Sequence, residues 1–165
     1  MQNFPMKTMH STKNSVKEKT RKKVVAILNQ TLADLTDLYS QTKQAHWNVR
    51  GPRFYSLHKL FDDLAGAVEV EIDPLAERIT ALGGVAAGTV RMAAANSALK
   101  EFPTGNDEAG YVAALVDRYA QCGAGVREGI DETAALGDAD SADLLTGLSR
   151  ELDKSLWFLE AHARG

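Results

Sequence analysis

"SLHKLFDDLAGAVEVEIDPLAERITALGG", residues 56–84, decides how the chain folds. Laid on a helix at about 100° per residue, Leu57, Phe61, Leu64, Val68, Leu75, Ile79 and Leu82 fall within about 60° of one another. That is the stripe of a helix packed on a core. On the same wheel, His58, Asp62, Asp73 and Glu77 lie near 0°, 40°, 60° and 100°, so they share a second face. The helix is bounded by Ser56, a residue type suited to an N-cap, and by Gly83-Gly84, which cannot easily continue it.

The polar face has an internal spacing. His58 and Asp62 are one turn apart, as are Asp73 and Glu77, so each pair can grip one small object. The pairs are separated by roughly 16 Å along the axis, too far for one metal ion with ligand bonds of about 2 Å. Within one chain, each pair is half a site. The midpoint of positions 58 and 77 coincides with that of 62 and 73. Two copies of this helix packed antiparallel about a two-fold axis near Gly66-Ala67 place His58 against Glu77 of the partner and Asp62 against the partner's Asp73. Two complete sites then exist, and only in the dimer. Polar residues at this spacing also suit a solvated helix face. As ligands, carboxylates favour Fe(III) and imidazole also suits Fe(II), so the mixture fits an iron that changes oxidation state; zinc fits the same donors.

Upstream, Val25, Leu28, Leu32, Leu35 and Tyr39 recur in steps of three and four, and the register continues through Thr42 to His46. His46 therefore points towards packed protein. Gly51-Pro52 breaks this helix. After Gly84 comes a small-residue linker containing Gly88, Pro103 and Gly105, with room for a short helix. Two more helices are expected over roughly 107–136 and 141–163. Four long helices with a long connection between the second and third give an all-α four-helix bundle with a crossover.

The 165 residues suit one domain, 44% hydrophobic and 25% charged, with four prolines and one cysteine, Cys122. A single cysteine excludes an intrachain disulfide framework and fits a reducing cytoplasm. No stretch is apolar and long enough to span a membrane, and the N-terminus lacks the apolar core of a signal peptide. The net charge of −3 is unevenly placed. Lys7, Lys13, Lys17, Lys19, Arg21, Lys22 and Lys23 face Glu18 alone in residues 1–23, so a basic start precedes an acidic remainder. Residues 1–22 read as a basic mobile tail and residues 23–165 as the bundle domain.

The stretches "TKQAHWNVRGPRFYSLHKLFDD" (42–63), "EIDPLAERITALGGVAAGT" (71–89) and "SRELDKSLWFLEAH" (149–162) resemble the Dps family, the mini-ferritins. The resemblance runs from about Lys23 to His162. His46, His58, Asp62, Asp73 and Glu77 match that family's metal-ligand pattern at every position. The resemblance implies a ferritin-like bundle that assembles into a hollow dodecameric shell. It also implies a ferroxidase site across the dimer interface, with His46, His58 and Asp62 from one subunit and Asp73 and Glu77 from its mate. There Fe(II) would be oxidised, preferably by hydrogen peroxide, and ferric mineral stored in the cavity.

The same resemblance suggests Trp47 as an electron donor, set against an ordinary packing aromatic. It suggests Asp140 and Asp143 as lining of pores that admit iron; in "GDADSADLL", Asp140 or Ser141 also suits a helix cap. Seven cations near the N-terminus, repeated around a shell, would bind DNA without reading its sequence and with a steep dependence on salt. A solubilising tail folded onto the acidic body is the plainer alternative. A protein acting mainly by compacting DNA is the competing function, and nucleoid association would follow from it. Pro74, following ligand Asp73, departs from a smooth helix and is expected to kink it or loosen the preceding turn. Arg150 and Asp153 read as ion-pairing residues, Cys122 as buried, and His10 and His162 as exposed and without ligand partners.

Overall fold

The computed structural model describes residues 9–105 and 107–163. Helix α1 spans Glu18–Asn48, α2 Phe54–Ala81, α3 Val90–Asn96, α4 Glu108–Ala135 and α5 Ala139–Ala163; no strand occurs among the described residues. The expected four long helices are α1, α2, α4 and α5, and α3 is the short helix of the crossover.

The apolar stripe of α2 is the wall of the core. Leu57, Phe61, Leu64, Val68, Leu75, Ile79 and Leu82 are all at most 3% exposed. They meet Leu28, Leu32, Leu35 and Leu38 of α1, Leu115 and Tyr119 of α4, and Leu145, Leu148, Leu152 and Leu159 of α5. A fully buried leucine or phenylalanine contributes about 1.5–3 kcal/mol, so this cluster is the main source of stability. Cys122 lies in it, and burial pushes its thiol above the ordinary range, which makes it a packing residue and not a nucleophile.

The crossover is tied along α1 by side chains that satisfy its backbone. Asn29 receives the amide of Ala87 at 2.8 Å and donates to the carbonyl of Val85 at 3.1 Å. Gln30 donates to Asn96 O, Asp34 accepts from the Ala98 amide, and Gln41 donates to Lys100 O. The connection thus runs from the N-terminal third of α1 to its far end, where α4 starts on an Asp107 cap that accepts from Gly110 N at 2.8 Å. α2 is consequently parallel to α4, and α1 antiparallel to both.

Three boundaries differ from the sequence reading. α1 begins at Glu18, not Val24. Its first turn is held by a Glu18–Lys22 pair and by Arg21, whose Nη1 donates to Leu82 O at 2.7 Å and whose Nε donates to Val16 O at 3.0 Å. The His10 amide reaches Gly83 O at 2.7 Å, and Met9 packs on the core. Residues 9–22 are therefore docked rather than a tail, while residues 1–8, with Lys7, lie outside the described residues. α2 starts at Phe54 with Arg53 in the cap position, and Ser56 instead donates back to Arg53 O at 2.9 Å. At the start of α5, Asp138 is the cap, not Asp140 or Ser141: its carboxylate accepts from Ser141 N at 3.3 Å and Ser141 Oγ at 2.8 Å. Pro74 sits inside α2, which is helical on both sides of it.

Gly51 makes the α1–α2 corner possible. Its φ of +141° is outside the range of ordinary side chains, and a Cβ there would stand 2.5 Å from Cδ of Glu108. Glu108, 8% exposed, uses the space to accept the Arg53 amide at 2.8 Å. The first turn of α4 thereby props the corner that carries both histidines.

Candidate metal centre

His46 lies in the last turn of α1 and His58 in the second turn of α2, on either side of the corner. His46 is 9% exposed, as its helical register required. The two rings stack with centroids 3.8 Å apart and planes 21° from parallel. Each ring donates its Nδ1–H to the other's backbone carbonyl: His46 to His58 O at 2.7 Å, and His58 to His46 O at 2.9 Å. A carbonyl only accepts, so Nδ1 is the protonated nitrogen of each ring in this arrangement. The neutral tautomer that donates from Nδ1 has its lone pair on Nε2, the form that metal ligation requires. A carbonyl partner on the far nitrogen also fixes the ring's orientation.

Asp62, one turn after His58, brings Oδ1 to 3.9 Å from His46 Nε2. The same oxygen takes the Lys43 ammonium at 2.7 Å. The Lys43 hydrogen bond and charge hold the Asp62 carboxyl below its usual range. Phe54 covers the outer side of His58, ring centroids 5.1 Å apart.

Asp73 and Glu77 are exposed on the later turns of α2 and carry no ion pair among the described residues. No cluster of three or more His, Cys, Asp or Glu side chains able to hold a metal occurs among the described residues of one chain. The fold stacks His46 on His58 and brings Asp62 to 3.9 Å from His46, and it leaves Asp73 and Glu77 apart.

The remaining candidates are placed as follows. Trp47 is 67% exposed in the single chain, so the packing role has no support within it. Asp140 is exposed, 3.7 Å from Arg78 Nη1, and Asp143 is exposed as well. Lys13, Lys17, Lys19, Lys22 and Lys23 are exposed, but Arg21 is buried and its guanidinium is engaged by two carbonyls, which removes it from the phosphate-contacting set. Asp153 pairs with Arg127 of α4. His10 is exposed; His162 is half-buried, donating Nδ1–H to Phe158 O at 2.8 Å. Sequence reading missed Lys43. Its only signal was a position one turn before His46, where an i, i+3 neighbour shares the face.

A family model for the ferritin-like domain matches residues 25–164. The DNA protection during starvation protein of Agrobacterium fabrum is 41% identical over 160 residues, spanning 96% of this chain and 98% of that protein. Among solved structures, DpsC from Streptomyces coelicolor has a TM-score of 0.92 at 30% identity, covering 100% of this chain and 96% of that one. Dps from Staphylococcus aureus has a TM-score of 0.83 at 31% identity, covering 87% and 97%. Shared helices, crossover and extended identity along nearly the full length lead to one conclusion: the chain belongs to the Dps family of ferritin-like proteins.

Proposed function

We propose that this protein oxidises Fe(II) at sites completed across a subunit dimer, stores the ferric product in a twelve-subunit shell, and so protects DNA from oxidative damage in the cytoplasm. The observation that carries this reading is the stacked His46–His58 pair, with both Nδ1 atoms engaged by backbone carbonyls and His46 Nε2 3.9 Å from Asp62 Oδ1. In the dimer, the partner's Asp73 and Glu77 supply the anionic ligands that stabilise Fe(III). The bundle belongs to a family whose members include proteins named for protecting DNA during starvation, and no described helix is long and apolar enough to cross a membrane.

Hydrogen peroxide is the preferred oxidant in this reading. Two Fe(II) each give one electron, and with two protons one peroxide becomes two water molecules. Paired delivery avoids the one-electron cleavage that releases hydroxyl radical. The chain's own part is to present ligands on fixed rings and to hold the ions near one another. Where only one Fe(II) is bound, the second electron that peroxide needs would come from Trp47, the next residue after His46.

The test is anaerobic Fe(II) oxidation after adding peroxide, compared with dissolved oxygen, on the intact protein and on Asp73→Ala. The expected result is fast oxidation at about two Fe(II) per peroxide, reduced about 100-fold or more in the variant. Oxidation no faster than in buffer would sink the reading.

A second activity, sequence-independent DNA binding, is favoured by the exposed Lys13, Lys17, Lys19, Lys22 and Lys23 at the start of the chain. Many copies of this patch on one particle would neutralise many phosphates. Replacing Lys13, Lys17 and Lys19 by glutamine should abolish retention of duplex DNA in a gel at low salt and leave iron oxidation intact. Unchanged retention would exclude this surface. DNA compaction through it is the runner-up function, and Asp140 and Asp143 remain the proposed lining of the pore that admits iron.

A further inference from the structure

We infer that Lys43 is a built-in competitor for the metal: its ammonium occupies Asp62 in the metal-free protein and must leave that oxygen when a divalent cation binds. The inference rests on the reading of His46, His58 and Asp62 as ligands, and adds to it the group that sets how tightly they bind.

The geometry is specific. Asp62 Oδ1 and His46 Nε2 are 3.9 Å apart. An ion lying between them would sit about 2 Å from each, the bond length of divalent ions with oxygen and imidazole ligands. Lys43 Nζ is 2.7 Å from the same Oδ1, so it would be within about 5 Å of that ion. Like charges at that separation repel strongly in a partly dehydrated site. The Lys43 side chain is only 21% exposed, against 42% for Asp62, so water screens the contact incompletely. Asp62 is the one ion-pair partner of Lys43 among the described residues. Metal binding therefore costs the lysine its partner.

Two consequences follow. Without metal, Lys43 holds Asp62 ionised and aimed at His46, so the ligand arm is assembled in advance. With metal, only a cation that gains more from Asp62 than the ammonium does will take the oxygen. A monovalent cation, which gains little from one carboxylate in water, fails that test. A divalent one bound by two imidazoles and several carboxylates passes it. Lys43 is thus a specificity-determining and positioning residue, not a ligand.

The test uses Co(II) as a redox-stable probe on the assembled protein, followed by titration calorimetry and by the visible absorption of the bound ion. Lys43→Met keeps the stem without the charge; Lys43→Arg keeps the charge. The expected result is that Lys43→Met binds Co(II) at least about tenfold tighter than the parent, whereas Lys43→Arg stays near it. Without metal, Lys43→Met should also unfold at a lower temperature, because Asp62 has lost its partner. A merely structural lysine would weaken binding and stability together. Equal or weaker Co(II) binding by Lys43→Met would overturn the inference. The ligand reading has a separate control: Co(II) binding to the parent that survives His58→Ala would overturn that reading, and this inference with it.

Discussion

Shells co-assembled from equal amounts of His58→Ala and Glu77→Ala chains are expected to oxidise Fe(II) at about one quarter of the parent rate, although each variant alone is expected to be about 100-fold slower than the parent. The reason is the two-fold axis. A mixed dimer contains two sites. In one, the altered position 58 of the first chain meets the altered position 77 of the second, and the site is doubly defective. In the other, the intact His58 of the second chain meets the intact Glu77 of the first. Random pairing makes about half the dimers mixed, and each has one good site of its two. Native mass spectrometry of the dimers establishes the mixing, and stopped-flow absorbance of ferric product reads the rate. If the ligands instead converged within one chain, every chain in the mixture would be defective, and no activity would return.

Asp138→Ala is expected to destabilise the bundle by about 3–5 kcal/mol, a fall in melting temperature of roughly ten degrees or more for a chain of this size. Asp138 is 2% exposed and accepts from Arg78 Nη2 at 2.7 Å as well as from Ser141 N and Oγ. Its removal takes away the α5 cap, worth about 1 kcal/mol, and leaves a largely buried guanidinium on α2 with only the exposed Asp140 carboxylate, 3.7 Å away, as counter-charge. Arg78 Nε still reaches Ser141 Oγ, so the guanidinium is not wholly abandoned. Asp138→Asn keeps the cap and should lose less. Replacing Arg78 and Asp138 together by methionine and leucine should recover part of the loss, since the larger cost lies in the stranded charge. Thermal unfolding at a fixed protein concentration measures all three, because assembly makes stability depend on concentration. A loss below about 1 kcal/mol for Asp138→Ala would show that solvent already screens Arg78.

The bundle was legible in the sequence because its core residues recur at the helical period over long stretches. Every member of the α2 stripe is buried, and His46 lies where the α1 register puts it. The start of α1 was not legible, because "EKTRKK" has no apolar period of its own. What holds it helical is long-range: the Arg21 guanidinium seated on the Leu82 carbonyl, sixty-one positions away. The caps of α2 and α5 were misplaced for a related reason. Several residues of capping type crowd each boundary, and only the path of the chain chooses among them. The pairing of His58 with Asp62 and of Asp73 with Glu77 on one helix was readable from their spacing, since i, i+4 positions on a helix leave little freedom. The reciprocal histidine bonds were not, because they depend on how two helices meet at a corner. Neither was the Lys43 contact, which joins positions nineteen apart across two helices.

The prop beneath the α1–α2 corner bears on how this chain tolerates change. Surface connections usually accept insertions and deletions with little harm. Here the crossover is anchored near its start by Asn29, midway by Gln30 and Asp34, and late by Gln41, and it ends by delivering Glu108 to the Arg53 amide. Adding or removing a residue would shift α4 in register against that amide. A length change far from the histidines would then be felt as a misaligned pair of rings. The connecting segment is thus a measured spacer, and its length belongs to the specification of the proposed metal centre as much as the candidate ligands do.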